Sequence, residues 1–158
     1  MVDERNAGFL RRSPLYVLTE YEINHLKNEI NIIGANASVF RFNSGPHTSY
    51  KDNEHVIYVR TDVFPDNESL HPRSRMSERA VLAHEYYGHY LLAPSRFEAG
   101  DWRDELRASY VAAIKTPNLS NEDRSYLIQD AYERAKEQGI NIRYNRKAVE
   151  IVYGIYKN

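Results

Sequence analysis

Residues 80–92, with the sequence AVLAHEYYGHYLL, are the most informative stretch of this chain. Glu85 is the only formally charged residue in the stretch, and His84 and His89 are its other ionisable groups of note. A helix that is apolar nearly all round is usually buried. Burying a carboxylate and two imidazoles without partners would cost on the order of several kcal/mol. A bound divalent metal ion would satisfy all three groups, so the stretch predicts a buried helix that holds a metal.

The spacing of the two histidines decides how they could share a metal ion. In the pattern His-Glu-x-x-His, two histidines four residues apart lie on one helix face and bind zinc. His84 and His89 are five residues apart, which at 3.6 residues per turn places them about 140° apart. A π-bulge adds one residue to a turn and would bring them back into line. Gly88 has a permissive backbone, so we expect the helix to be widened near Tyr87 and Gly88.

Two other arrangements stay open at this point. Glu85 and His89 are four residues apart and share a face of a regular helix, so they would form a metal pair that leaves His84 outside. In the other arrangement no metal binds, and both histidines are hydrogen-bonded in the core. Three polar groups in this order on one buried helix favour a metal, and the widened helix is the favoured geometry.

A catalytic zinc site needs a third protein ligand and keeps its fourth position for water. The chain has no cysteine, so its ligands must be histidine and carboxylate. The run DWRDELRASY at residues 101–110 supplies Asp101, Asp104 and Glu105. Glu105 follows His89 by 16 residues, which leaves room for a loop and the first turn of an antiparallel helix. Asp101 is also explained as a favourable charge at a helix N-terminus, an explanation that suits Glu105 less well.

The sequence HEYYGH at residues 84–89 resembles the His-Glu-x-x-Gly-His motif of the dipeptidyl peptidase III family of zinc peptidases. The resemblance implies that His84 and His89 are zinc ligands. It also implies that Glu85 is the base that activates the attacking water.

The second motif of the same family, Glu-Glu-Cys-Arg-Ala, is similar to DELRA at residues 104–108. This similarity implies that Glu105 is the third zinc ligand and that Asp104 accepts a hydrogen bond from a ligand histidine. Arg107 matches the arginine of the motif and is expected to support the site. Leu106 replaces the cysteine, and an aspartate replaces the first glutamate. That family is several times longer and its motifs lie farther apart, so the resemblance concerns the site and not the whole fold.

A wider resemblance is to the small zincin-like metallopeptidase domains of bacterial polymorphic toxins and of phage and mobile-element proteins. The similar segments are the active helix (the predicted helix that contains residues 80–92), GDWRDE at residues 100–105 and TPNLSNEDR at residues 116–124. The resemblance implies a compact protease domain that acts on a peptide or protein. It also implies that such a domain can belong to a larger effector or mobile-element protein.

The remaining sequence predicts an α+β fold, with a single zincin-like domain over residues 1–158 and an N-terminal arm at 1–18. Helices dominate this fold, and a small early β-sheet is expected to pack on the active helix. Four helices are expected to follow N-terminal caps: one from Thr19 to near residue 34, one from Ser77 to near 92, one from Asp101 to near 115 and one from Ser120 to near 139. A last helix is expected at 146–156. The expected strands are 39–42, 55–60 and 140–144, and the expected loops are 43–53 and 61–75.

Composition argues against several other classes of protein. The 158 residues suit one domain, and the absence of cysteine excludes disulfide scaffolds and thiol nucleophiles. A net charge of −1 argues against a nucleic-acid partner. No run approaches the roughly 20 apolar residues of a membrane span, and the first residues lack the pattern of a secretory signal. We therefore expect no membrane partner and a cytoplasmic location, unless the domain belongs to an exported protein.

These observations predict zinc-dependent hydrolysis of a peptide bond, with Glu85 as the general base. The candidates for stabilising the oxyanion are Tyr87, Tyr110, Tyr144, Arg107 and His71. The histidines expected on the surface or in loops are His25, His47, His55 and His71, and residues 71–75 are expected to form a flexible stretch near the cleft. Two alternatives are a catalytically silent zinc-binding module and a protein-interaction module without metal. The 13 tyrosines slightly favour the second alternative, because tyrosine is enriched at interfaces.

Overall fold

A computed structural model describes residues 16–66 and 68–157, and this part of the chain has the predicted α+β composition. It contains six α-helices and a three-stranded sheet. Residues 1–15 of the predicted N-terminal arm lie outside the described residues. Leu18, at the end of that arm, is buried in the core. No helix in the described ranges is long and apolar enough to cross a membrane.

The elements follow one another along the chain in this order. Helix α1 is Glu20–Ile32, and strands β1, β2 and β3 are Phe40–Phe42, Ser49–Lys51 and Val56–Val59. Helix α2 is Pro72–Arg75, and α3 is Glu78–Ala83. Helix α3 continues directly into a π-helix at His84–His89 and a 3₁₀ turn at Tyr90–Leu92. Helices α4, α5 and α6 are Trp102–Lys115, Asn121–Lys136 and Arg146–Val152, and two further 3₁₀ turns are Ala37–Val39 and Thr61–Val63.

Side-chain caps confirm the four helix starts that the sequence predicts. Thr19 and Glu22 form a reciprocal capping box at the start of α1. Ser77 caps α3, and Asp101 and Ser120 cap α4 and α5 in the same way. Each cap accepts a hydrogen bond from an amide that has no partner within its helix.

The sheet has the strand order β1-β3-β2. The two early strands that the sequence predicts do pair, in parallel, with Phe40 opposite Ile57. Strand β2 pairs antiparallel with β3 and forms an edge of the sheet within the described chain. The prediction of a loop over 43–53 is therefore wrong at β2. Its three residues carry no alternating apolar pattern, and pairing with β3 makes them a strand.

The C-terminal predictions are partly wrong. Residues 140–144 pair with no strand in the described ranges, and the side chains of Ile140 and Ile142 are 41% and 46% exposed. An alternating pattern does not make a strand without a partner edge. Helix α6 ends at Val152 rather than at 156, because Gly154 follows with a φ of +75° that a helix cannot continue.

The segment 61–75 is more ordered than the predicted long loop. It contains a 3₁₀ turn and the helix α2, which packs against α5. Arg73 of α2 is buried, and its Nε donates a hydrogen bond to Asp130 Oδ1 at 2.8 Å. The predicted flexible stretch at 71–75 is thus a helical turn anchored on α5, and it does not line the cleft described below.

The helical segment 80–92 is largely buried, as its apolar composition predicts. All of Ala80–Ala83 is buried. The sheet packs on one side of the helix, where Phe40 of β1 stacks on Tyr86 with ring centroids 6.0 Å apart. Helix α4 crosses the other side and runs along α5. The small sheet therefore packs on the helical segment 80–92, as expected.

Candidate metal centre

The six residues His84–His89 form a turn of π-helix, which is the local widening predicted from the histidine spacing. The wider turn brings the imidazole rings of His84 and His89 to a centroid distance of 4.9 Å. One ligand atom from each of His84, Glu85 and His89 lies within 4.8 Å of the other two, and all three residues are buried. His84 therefore faces the same centre as the other two residues.

Gly88 allows α4 to approach the π-helix closely. A Cβ atom at this position would lie 2.5 Å from the backbone oxygen of Ala108 and 2.7 Å from its Cβ. Atoms in a protein interior do not pack at such distances, so a larger residue would displace α4. The sequence interpretation of Gly88 as a source of backbone freedom is thus incomplete, because its missing side chain also provides the room that brings Glu105 to the site.

The carboxylate of Glu105, in the first turn of α4, lies against both imidazoles. Glu105 Oε1 is 3.0 Å from His84 Nε2 and 3.3 Å from His89 Nε2. Glu105 Oε2 is 3.2 Å from His89 Nε2. Two ligand atoms that share a tetrahedral zinc ion at about 2.0–2.2 Å are about 3.3–3.6 Å apart. The spacing of these three groups is therefore close to that of a metal coordination shell.

The far side of the His84 ring is held by a chain of hydrogen bonds. Ser109 donates its hydroxyl hydrogen to Asp130 Oδ2 at 2.6 Å. The same hydroxyl oxygen lies 2.8 Å from His84 Nδ1, so it accepts the Nδ1 hydrogen. This network assigns the proton to Nδ1 and leaves the Nε2 lone pair directed at Glu105. A lone pair that faces a carboxylate requires a cation between the two, either a proton or a metal ion.

The His89 ring has a simpler support. Its Nδ1 lies 3.4 Å from Asp104 Oδ2, and its Nε2 faces Glu105. Burial by itself would lower the pKa of His89, but the hydrogen bonds with Asp104 and Glu105 outweigh burial and raise this pKa to about 10. A carboxylate behind a ligand histidine is common at metal sites, where it fixes the ring orientation.

The site also stabilises the charged form of Glu105. Burial by itself would raise the pKa of this carboxyl, but its interactions with the His84 and His89 imidazoles hold it well below its usual range. Both shifts have the same cause, which is the close approach of an anionic carboxylate to two imidazoles.

Helix α5 supplies an outer network that sequence reasoning missed. Asp130 is fully buried and accepts hydrogen bonds from Arg73 Nε at 2.8 Å and Arg134 Nε at 3.2 Å. Burial alone would raise the pKa of Asp130, but the charges of Arg134 and Arg73 hold it well below its usual range. One signal was present in the sequence. Asp130 lies three residues after Leu127 on the apolar stripe of α5, where a carboxylate needs a partner.

A cleft of about 760 Å³ opens at the site. Strand β2 and residues 47–53 line one side of it, and residues 93–100 and the start of α4 line another. The Tyr50 ring of β2 stacks on His89, with centroids 6.3 Å apart and planes within 4°. The predicted supporting residues Asp104 and Arg107 also line the cleft, and Arg107 Nη2 donates to Asp104 Oδ1 at 3.0 Å.

Most of the predicted oxyanion candidates lie elsewhere. Tyr87 donates its hydroxyl hydrogen to the Ile33 carbonyl at 2.6 Å, and Tyr110 accepts from Asn145. Tyr144 packs on Tyr132, and His71 caps α2. Of the five candidates, Arg107 alone lines the cleft.

The other acidic and histidine residues keep the simpler roles expected of them. Asp101 caps α4, and His25 pairs with Glu78 at 3.1 Å. His55 stacks on Tyr90 with ring centroids 4.1 Å apart. His47 lines the cleft and lies 3.6 Å from Asp62. None of these residues joins the metal-ligand group found in the described ranges.

Comparisons of the chain with protein-family models, with curated proteins and with solved structures find no match. The interpretation of the site therefore depends on its own geometry and chemistry. The resemblance to zinc peptidases through residues 84–89 and 104–108 stays a prediction.

Proposed function

We propose that this protein is a zinc-dependent peptidase in which His84, His89 and Glu105 bind the metal and Glu85 is the general base. One observation supports this above all others. The Glu105 carboxylate lies 3.0–3.3 Å from the Nε2 atoms of both His84 and His89, on the face to which the π-helix also directs Glu85.

The donor set suits a catalytic zinc ion. Two imidazole nitrogens and one carboxylate are a known catalytic combination, whereas closed structural sites usually contain thiolates. The imidazoles of His84 and His89 each have a hydrogen-bonding or ionic partner behind the ring, which directs Nε2 to the centre. The cleft leaves space beside these residues for water and a substrate.

A bound zinc ion would lower the pKa of its water to about 7 and polarise the scissile carbonyl. Glu85 accepts the proton of the attacking water and transfers it to the leaving amine nitrogen. Its carboxylate is buried in the ligand cluster, where a base of fixed orientation is needed. His84, His89 and Glu105 would hold the metal during this proton transfer.

The edge strand β2 favours a peptide as the substrate. Within the described chain β2 pairs on one side with β3, and it lines the cleft beside His89. An extended peptide can add to such an edge through main-chain hydrogen bonds, which bind it without requiring one particular sequence. Peptides and unfolded protein segments are therefore the substrate class that we propose.

Metal analysis and hydrolysis assays test the proposal together. The purified protein loaded with Zn²⁺ should hold about one ion per chain and cleave a mixed peptide library, as measured by elemental and peptide mass spectrometry. His84→Ala and Glu105→Gln should lose both metal and activity. His25→Ala, which changes a histidine on α1 outside the site, is the matched control and should keep both.

The variant Glu85→Gln separates the remaining alternatives. It should keep the metal and lose hydrolysis, because an amide cannot accept the water proton. Loss of metal in this variant would instead identify Glu85 as a ligand. Metal binding without hydrolysis of any peptide by the unsubstituted protein would contradict the proposed activity.

A further inference from the structure

Peptide hydrolysis places negative charge on the carbonyl oxygen as water attacks the carbonyl carbon. Enzymes stabilise that charge with hydrogen-bond donors that are fixed in place before the reaction. The donor must lie in the cleft, near the metal centre, and must not already be bound to another protein group. These three conditions can be applied to the donors that line the cleft in the described chain.

Several cleft donors are already committed to other groups. The Tyr50 hydroxyl lies 2.7 Å from His55 Nδ1 and also bonds Asp52. Ser95 donates its hydroxyl hydrogen to Asp104 at 2.8 Å. Arg107, the one sequence candidate that lines the cleft, fails the condition of position instead: its Nη2 binds Asp104, which lies on the Nδ1 side of His89 and not beside the Nε2 atoms at the centre.

Arg134 satisfies all three conditions. It projects from α5 into the cleft, with a side chain that is 13% exposed. Its Nε is anchored on the buried carboxylate of Asp130 at 3.2 Å and 3.4 Å from the two oxygens. Its terminal nitrogens Nη1 and Nη2 form no hydrogen bond with any residue in the described ranges. The guanidinium is therefore fixed at one end and free to donate at the other.

Arg134 also lies close to the metal centre. Its Nη2 is 4.0 Å from Oε1 of Glu105, the oxygen that contacts both histidine rings. A metal ion would lie about 2 Å from a carboxylate oxygen that binds it. A carbonyl oxygen of a substrate at this centre is therefore within reach of the guanidinium.

We propose that Arg134 is a catalytic residue that donates a hydrogen bond to the scissile carbonyl oxygen as that oxygen becomes negative. The water oxygen bonds to the carbonyl carbon, and the π electrons of the carbonyl move onto its oxygen. Arg134 keeps its proton throughout, while Glu85 moves the water proton to the amine nitrogen as the C–N bond breaks. This inference rests on the proposed peptidase function and adds a role that the sequence motifs did not assign.

The test compares the binding of two peptide pools to Zn²⁺-loaded protein. The two pools contain the same set of side-chain sequences. In the first pool a phosphinic group, which is tetrahedral and anionic, replaces the scissile amide, and in the second the amide is intact. Binding is measured by affinity selection and mass spectrometry in the Glu85→Gln background, so that nothing is cleaved. Arg134→Gln should weaken binding of the phosphinic pool about 100-fold or more and leave amide binding within about threefold. In protein that retains Glu85, Arg134→Gln should lower kcat for peptide hydrolysis rather than raise KM.

Control variants separate this role from a structural one. Arg134→Lys keeps the positive charge but lacks the planar guanidinium, so it should lose part of the preference for the phosphinic pool. This preference is the ratio of the affinities for the phosphinic and amide pools. It can be measured on folded Arg134→Lys protein even if Arg134→Gln is unstable. Arg103→Gln, which changes an exposed arginine bound to Asp101 on α4, should leave the ratio unchanged. Metal content should stay the same in all three variants.

The outcomes distinguish this proposal from the proposed function. If Arg134→Gln weakened binding of both pools equally, or weakened neither, the role of Arg134 would be overturned and the peptidase assignment would stand. The role of Arg134 would also be overturned if Arg107→Gln removed the preference for the phosphinic pool and Arg134→Gln did not. Failure of the unsubstituted protein to bind either pool would contradict both proposals.

Discussion

The two histidines of the candidate site are supported by different parts of the molecule. Behind His84 lie two successive buried groups, Ser109 on α4 and Asp130 on α5. Behind His89 lies the single carboxylate of Asp104, and its ring stacks on Tyr50 at the open cleft. One histidine is thus part of a charged network within the core, and the other lies where a substrate would enter. Stability and access to the metal are therefore expected to depend on different residues.

The strongest test of this comparison is Asp130→Asn. The change removes the charge of the buried carboxylate to which Arg73 Nε and Arg134 Nε both donate hydrogen bonds. We expect the free energy of unfolding to fall by about 3–5 kcal/mol, as measured by urea denaturation. Glu137→Gln is the matched control, because Glu137 binds the same Arg73 from a partly exposed position and should cost about 1 kcal/mol or less. Equal losses in the two variants would contradict the importance of the buried network.

The second prediction concerns the contact between the π-helix and α4. Gly88→Ala would place a Cβ atom 2.5 Å from the Ala108 backbone oxygen and push α4 outward. We expect a loss of about 1–3 kcal/mol in the free energy of unfolding and weaker metal binding, because Glu105 moves with α4. Gly139→Ala is the control, since it meets no atom within 4 Å and costs only the strain of a positive φ. Metal affinity, measured by competition with a chelator, should fall in the first variant alone.

The third prediction compares the two histidine supports directly. Ser109→Ala removes the only hydrogen-bond acceptor that the described chain offers to His84 Nδ1. Asp104→Asn removes the charge behind His89 but keeps an oxygen acceptor, and stacking on Tyr50 still orients the ring. Both changes should weaken zinc binding about 10–100-fold, with the larger effect in Ser109→Ala. A larger effect in Asp104→Asn would reverse the comparison, and Ser125→Ala on α5 serves as the unaffected control.

The smallest expected effect is that of Tyr50→Phe at the cleft. The substitution keeps the ring that stacks on His89 and removes the hydroxyl contact with His55 at 2.7 Å. Stability should change by about 1 kcal/mol or less, and zinc affinity should stay the same, as measured by denaturation and chelator competition. Loss of zinc in this variant would show that the hydroxyl, and not the ring, supports the site.

The local features of the site could be predicted because they depend on short-range geometry. Two histidines five positions apart on an apolar helix require a wider turn if both are to face one centre, and the π-helix at His84–His89 confirms that inference. The helix caps at Thr19, Ser77 and Ser120 are equally local, since each involves an amide three residues away. In both cases the physical cause lies within one turn of the chain.

Features that depend on distant parts of the chain could not be predicted. Asp130 and Arg134 meet the site only because α5 packs along α4. The sequence marks Asp130 as a carboxylate on an apolar face, but it does not identify the helix that this face contacts. Strand β2 exists because β3 pairs with it, and its own residues carry no strand pattern. The predicted strand at 140–144 shows the reverse case, because its alternating pattern finds no partner in the described chain.

The brevity of β2 has a consequence for how the protein behaves at high concentration. An uncovered sheet edge invites pairing between copies of a protein and can lead to aggregation. Strand β2 has only three residues and carries the exposed Lys51 at its end. So short an edge offers few main-chain hydrogen bonds, and a charged side chain opposes the approach of a second copy. We therefore expect the short length and the charge of β2 to disfavour pairing between copies of the protein while the edge stays open beside the cleft.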